Sequence, residues 1–232
     1  MQDASTSRCL GLIGGLGVGA TVHYYQELVK AHTARGCLPN LVIIHADVNR
    51  VLKDAAAGET VQLAEYLAHL IHRLSLAGAQ VAAIPAVTPH ICAAELRERS
   101  PIPLVNLIEE IAREIQDRGF KRVALFGTRF TMTTRMFGQL PGVDVVLPTA
   151  QEIDTIHETY LQLVNAGRGA EEHYTDLRRI AHTLCEREHV EAIILAGTEL
   201  SLVFNEANTD FPHIDGARIH LNAIMRHLFA EA

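Results

Sequence analysis

The chain has 232 residues, of which 48% are hydrophobic and 20% are charged, and this composition excludes an intrinsically disordered protein. The net charge is −7, so the sequence lacks the basic character of proteins that bind nucleic acids or anionic membranes. It shows no secretory signal and no apolar run near the roughly 20 residues of a membrane span, which predicts a cytoplasmic protein.

Apolar runs and helical periods alternate along the whole chain. The first half predicts strands at 8–13, 41–46 and 80–85, helices at 20–34 and 59–77, and a loop around Asn49 and Arg50. The second half predicts strands at 104–105, 122–126, 143–147 and 191–195, and helices at 107–118, 151–165, 171–187 and after 216. This alternation is typical of an α/β fold, in which helices cover parallel sheets. The segment Ser100-Pro101-Ile102-Pro103 is the best candidate for a domain crossing.

Two pairs of similar loops predict a duplicated α/β half. Gly14 and Gly127 each end a strand and are 113 residues apart, and Ala86 and Gly197 each follow a strand and are 111 residues apart. Ligands of open α/β sheets bind beyond the carboxyl ends of the strands. We therefore expect two similar lobes, related by pseudo-symmetry, with a site in the cleft between them.

The first glycine loop has three interpretations. Gly15-x-Gly17-x-x-Ala20 fits a loose dinucleotide fingerprint, and Asp47 ends the second strand where a ribose-binding acid would lie. However, Gly15 and Asp47 are 32 residues apart, whereas the fingerprint expects ~20. The loop could instead present backbone N–H groups to a small anion such as a carboxylate, or form a tight turn without a ligand.

The cysteines and histidines do not form a recognisable metal-binding pattern. The four cysteines are scattered without a CxxC spacing, and no HExxH pair organises the thirteen histidines. We expect no metal site and no cofactor.

Five segments, in order and spacing, resemble the aspartate/glutamate racemase superfamily. They are LIGGLG at 12–17, YY at 24–25, ALFGTRFTM at 124–132, LAGTE at 195–199 and ARIH at 217–220. The resemblance implies two similar α/β lobes with the active site between them, homodimers, and chemistry independent of PLP. It also implies that the C-terminal helix returns to the first lobe, which gives lobes of 1–100 plus 208–232 and of 101–207.

The sequence departs from this superfamily at the two residues that normally carry out the reaction. In the superfamily one thiol removes the α-proton, and a second thiol returns a proton from the other face. The corresponding positions here are Ala86 and Gly197, which have no acid–base group. Cys92 is expected to pack in the core, and Cys9 precedes the first strand, so neither replaces a lost thiol.

The remaining polar residues of these loops are the candidate site. Glu199, His213 and His90 are the acid–base candidates. The resemblance implies that the loop with Thr128 and Thr131 holds a substrate carboxylate, and that Thr88 and Thr198 flank the lost thiol positions. Arg129, by its charge, and Gly15 and Gly17, by their N–H groups at a helix N-terminus, are the other substrate-binding candidates.

Three functions are compatible with the sequence. The first is an isomerase- or lyase-type enzyme that acts on a small carboxylate or amino acid without the two-thiol mechanism. The second is a non-catalytic carboxylate or amino-acid binding protein, and the third is a nucleotide-binding oxidoreductase. None of them involves nucleic acid or a membrane.

Overall fold

A computed structural model describes residues 7–229 of the chain. Within them the chain divides into two compact units. The first unit contains the residues up to Asn106 and those from His220 onward, and the second contains Leu107–Ile219. Each unit has a four-stranded, fully parallel sheet, so the predicted α/β class is confirmed. No helix of residues 7–229 is both long and apolar enough to span a membrane.

The sheet of the first unit has the strand order β2-β1-β3-β4. Its strands are β1 (Leu10–Gly14), β2 (Leu41–His45), β3 (Val81–Ala83) and β4 (Leu104–Val105). Its helices are α1 (Val18–Thr33), α2 (Val48–Ala56), α3 (Thr60–Leu76) and α4 (Ala93–Arg99), and a 3-10 helix covers Thr88–Cys92. The register pairs Leu10 with both Leu41 and Val81, so β1 lies inside the sheet.

The sheet of the second unit repeats this arrangement with the order β6-β5-β7-β8. Its strands are β5 (Arg122–Phe126), β6 (Asp144–Val146), β7 (Ala192–Leu195) and β8 (His213–Asp215). The helices are α5 (Leu107–Asp117), α6 (Arg129–Thr133), α7 (Ala150–Ala166) and α8 (Glu171–Glu188), with 3-10 helices at Met136–Gly138 and Thr198–Leu202. Helix α9 (Gly216–Phe229) begins in the second unit and ends in the first.

The cores follow from the apolar patterns. Strands β1, β3 and β7 are buried along their whole length, because helices cover both faces of a parallel sheet. In α3 the apolar residues that recur with the helical period are all buried: Leu63, Leu67, Leu70, Ile71 and Leu74.

The structure corrects two local predictions. Residues 48–56, predicted as a loop, form α2, because the Asp47 carboxylate caps it by accepting hydrogen bonds from the N–H groups of Asn49 and Arg50. Strand β8 was not predicted, because its three residues are too few to show a pattern, and pairing with β7 defines it.

The unit boundaries also differ from the predicted ones. The prediction divided the chain into lobes of 1–100 plus 208–232 and of 101–207, which assigns β4 to the second lobe and β8 to the first. In the structure β4 pairs with β3, and β8 pairs with β7. The proline segment ends α4, but the Pro103 carbonyl already accepts a hydrogen bond from the Ala82 N–H, so the chain joins the first sheet. Residues 1–6 and 230–232 of the predicted first lobe lie outside the described residues.

Candidate functional site

The loop after β7 places an acidic side chain inside the second unit. Glu199 is only 1% exposed and Thr198 only 2%. The Ala196 N–H donates to the Phe126 carbonyl of β5, which fixes the start of the loop. Because β5 and β7 are parallel, the loops that follow them lie at the same edge of the sheet. Glu199 is therefore a buried acid at the edge where α/β sheets bind ligands.

A tyrosine from α7 holds this acid. The Tyr160 hydroxyl donates to Glu199 Oε2 at 2.5 Å, and the Thr198 hydroxyl donates to the same oxygen at 3.2 Å. Burial, and then the negative charge of Glu199, raise the pKa of Tyr160 well above its ordinary value. The phenol is therefore protonated at neutral pH and remains a hydrogen-bond donor. Sequence analysis missed Tyr160, because it lies on a helix 39 residues before its partner.

The same tyrosine explains why residue 197 is a glycine. A Cβ atom added to Gly197 would lie 2.3 Å from Tyr160 Cε2 and 2.8 Å from both Cδ2 and Cζ. The phenol ring thus occupies the space where any side chain at position 197 would begin. A cysteine at this position is incompatible with the observed position of Tyr160.

Strand β8 contributes an aspartate, and not a histidine, to the carboxyl edge of the sheet. The register pairs Asp215 with Leu195, the last residue of β7, and His213 with Ile193. Asp215 Oδ1 accepts hydrogen bonds from the Ser201 hydroxyl and the Arg218 N–H. The predicted candidate His213 lies at the start of β8, and its Nδ1 is 3.1 Å from the Phe211 carbonyl. The structure does not bring His213 together with Glu199 at this edge.

The predicted carboxylate loop of the second unit makes hydrogen bonds within its own short helix. Thr128 caps α6 by accepting from the Thr131 N–H at 3.1 Å, and the two hydroxyls are 2.9 Å apart. The Arg129 guanidinium pairs with Asp154 of α7 at 2.5 Å. A substrate carboxylate at Arg129 would therefore compete with Asp154.

In the first unit the loop after β3 contains a buried histidine. His90 is 1% exposed and lies four residues after Ala86, whose carbonyl is 2.9 Å from His90 Nδ1. Since a carbonyl only accepts hydrogen bonds, Nδ1 carries the proton of the neutral ring. Burial lowers the pKa of His90 to about 4, so the imidazole is neutral at pH 7. Ala86 is also buried, and Thr88 in the same loop is half-buried.

A second buried histidine lies next to His90. His220 Nε2 is 2.9 Å from the Val105 carbonyl and therefore donates to it, so Nδ1 accepts from the Tyr24 hydroxyl at 3.1 Å. The rings of His90 and His220 are 6.3 Å apart and nearly perpendicular. Burial, and then His90, lower the pKa of His220 to about 3. We call His90, His220 and Tyr24 the histidine cluster. Tyr24 and His220 belong to the motifs of the resemblance, but no pattern in the sequence assigns them to each other.

The groups that a dinucleotide site would use in the glycine loop are engaged inside the first unit. The Gly15 N–H donates to the Thr21 hydroxyl at 3.1 Å, and Asp47 caps α2. Gly15 has a φ of +85°, and a side chain there would meet the His45 ring, so the turn itself requires a glycine. Gly17 is the N-cap residue of α1 and has no side chain to cap it.

Cys92, the cysteine that follows the loop of Ala86, is not activated for catalysis. Cys92 is completely buried, and its thiol donates to the Pro89 carbonyl. Burial, and then Glu95, raise its pKa to about 12, which leaves the unreactive thiol form at neutral pH. Within residues 7–229 no three His, Cys, Asp or Glu side chains are arranged to hold a metal ion.

Known proteins share both the sequence pattern and the fold. The family model of Asp/Glu/Hydantoin racemase matches residues 13–224. A broad specificity amino-acid racemase, RacX, of Bacillus subtilis (strain 168) is 27% identical over 151 residues, which cover 62% of this chain and 63% of that protein's length.

Two solved structures superpose on almost the whole chain. PH1733, an aspartate racemase homologue from Pyrococcus horikoshii OT3, is 25% identical with a TM-score of 0.79, covering 94% of this chain and 98% of its own. A Yersinia pestis protein, provisionally named an Asp/Glu racemase, is 24% identical with a TM-score of 0.80, covering 96% of this chain and 100% of its own. These likenesses show the fold, and the family match over residues 13–224 shows that the chain belongs to the Asp/Glu/Hydantoin racemase family.

Proposed function

We propose that this chain is an enzyme that moves a proton on a small carboxylate or amino-acid substrate with side chains other than thiols. The observation that carries the proposal is Glu199, a buried acid in hydrogen bonds with Tyr160 and Thr198 at the carboxyl edge of its sheet. Buried acid–base groups in such positions are characteristic of functional sites.

The proposed step needs no cofactor. The Glu199 carboxylate accepts the proton on the carbon next to the substrate carboxylate and becomes a carboxylic acid. The electron pair of the broken C–H bond stays on the substrate as an enolate-like carbanion. Return of a proton from the Glu199 carboxylic acid to that carbon restores both the substrate and the Glu199 carboxylate.

The family supports the substrate class. The Bacillus subtilis relative is named for broad specificity towards amino acids, and PH1733 is named as an aspartate racemase homologue. We therefore propose small amino acids, with aspartate and glutamate among them, as the first substrates to test. From the resemblance we also propose a cytoplasmic, PLP-independent homodimer.

The test is incorporation of solvent deuterium at Cα, followed by NMR in D₂O for aspartate, glutamate and related small acids. We expect incorporation by the wild type and a loss of about 100-fold or more in Glu199→Gln. Glu158→Gln is the matched control, because Glu158 lies on α7 near Tyr160 but is exposed. We also expect alkylation of accessible thiols to leave the rate unchanged.

Two results would overturn the proposal. One is wild-type exchange in Glu199→Gln. The other is that the wild type exchanges none of the acids. If an acid then raises the melting temperature without being exchanged, the chain is a carboxylate-binding protein instead.

A further inference from the structure

We propose that Tyr160, Glu199 and Gly197 form one functional unit, in which Tyr160 is the positioning residue for Glu199 and Gly197 leaves the room that Tyr160 needs. The inference rests on the proposed function, since it assigns a role to Tyr160 only if Glu199 moves the proton. It adds a residue of α7, which no motif of the sequence indicates, to the machinery of the loop after β7.

Two hydrogen bonds hold the Glu199 carboxylate in place. Tyr160 and Thr198 both donate to Oε2, which fixes the carboxylate plane and favours its charged form. Because the phenol is buried beside a carboxylate, it stays protonated and donates throughout the pH range of the assay. Loss of this donor should raise the proton affinity of Glu199, since a hydrogen bond to a charged group favours that charge.

The space beside Gly197 is occupied by the Tyr160 ring. The ring of Tyr160 lies against the Gly197 backbone, closer than any Cβ atom would permit. A methyl group at position 197 must therefore displace the ring, and with it the hydroxyl that donates to Glu199. Gly197 and Tyr160 are thus coupled: the glycine is required only while the tyrosine is present.

The buried His173 of α8 lies 3.1 Å from the Gln162 side chain of α7, and the other titratable groups of α7 and β8 have partners of their own or face solvent. These groups are Glu152 with Arg187, Asp154 with Arg129, His157 with the Arg129 N–H, the exposed Glu158, Asp215 with Ser201 and the Arg218 N–H, and His213 beside the Phe211 carbonyl. A change in the pH dependence of Tyr160→Phe is therefore assigned to Glu199.

The first experiment compares pH profiles of Cα deuterium exchange for the wild type and Tyr160→Phe. We expect the acidic limb to move to higher pH by about one unit and the maximal rate to fall. Tyr174→Phe is the matched control, because Tyr174 donates to the Asn208 carbonyl in the same unit and does not contact Glu199. If the Tyr160 hydroxyl only stabilised the fold, as the Tyr174 hydroxyl does, Tyr160→Phe and Tyr174→Phe would both lower the melting temperature, and neither would change the pH profile of exchange.

The second experiment measures the coupling by thermal unfolding, which needs no activity. We expect Gly197→Ala to lower the melting temperature of the wild type and to have little further effect in a Tyr160→Ala background. An unchanged melting temperature in Gly197→Ala, or equal effects in both backgrounds, would overturn the proposed coupling.

The outcomes separate this inference from the proposed function. If the wild type catalyses no exchange, the proposed function fails, and the role of Tyr160 fails with it. If exchange depends on Glu199 but Tyr160→Phe keeps the wild-type pH profile, the proposed function stands and only the present inference is overturned.

Discussion

The histidine cluster predicts a loss of stability in mild acid. His90 and His220 are buried as neutral rings, with pKa values lowered to about 4 and about 3 from an ordinary value of 6.5. In the unfolded chain both rings bind a proton near pH 6.5, so below that pH the unfolded state binds more protons than the folded state. The contribution of the two neutral rings to the free energy of unfolding is therefore fully present above pH 6.5 and is lost as the pH decreases towards 4.

The size of this effect follows from the shift. For His90 alone, a shift from 6.5 to about 4 lowers the free energy of unfolding by about 3 kcal/mol at pH 4. His220 adds a loss in the same direction, because burial and the neighbouring His90 also lower its pKa. A loss of this size is a large part of the total stability of a typical domain, about 5–15 kcal/mol.

The assay is urea unfolding followed by circular dichroism at several pH values between 7 and 4.5. In this window Glu152 and Asp210, whose pKa values are lowered to about 2, stay ionised and contribute little to the slope. We expect His90→Gln to reduce the pH dependence, whereas His72→Gln, an exposed change on α3, should leave it as in the wild type. Equal pH dependence in the wild type and His90→Gln would refute the reasoning.

Two further predictions concern packing and capping. Gly11→Ala should lower the free energy of unfolding, measured by urea titration, by about 1–3 kcal/mol. The added Cβ would lie 2.9 Å from the Cβ of Ala79 and 3.0 Å from the Cβ of Leu74, so Ala79→Gly should recover part of the loss. Thr149→Ala should cost about 1 kcal/mol by removing the capping box that Thr149 forms with Glu152 at the start of α7, and a change within error would contradict it.

The fold was largely predictable because its central strands are continuous apolar runs and its long helices keep a clear period. Strand β7 and helix α3 show this directly, since nearly every residue that defines their patterns is buried. Helix α2 was not predictable in this way, because its nine residues are too short a stretch to show a sustained period and its start depends on the cap that Asp47 provides. The three residues of β8 belong to a strand only through pairing with β7.

The candidate site was predictable only as far as loop positions allow. Glu199 and His90 could be selected because they follow strands in a parallel arrangement. Tyr160 could not, because its contact with Glu199 joins α7 to a loop through side chains alone. The contact between Tyr24 and His220 spans 196 residues, and a single sequence contains no local signal for such a pair.

The return of α9 to the first unit has a consequence for synthesis on the ribosome. Residues 107–219 follow one another, so the second unit can assemble as it emerges, whereas the first unit needs residues translated after it. Until α9 arrives, the Val105 carbonyl and the Tyr24 hydroxyl lack His220, and the Arg8 N–H lacks the Leu228 carbonyl. The first hundred residues of a nascent chain therefore stay incompletely folded until α9 has been translated, and chaperones and proteases can act on them during that interval.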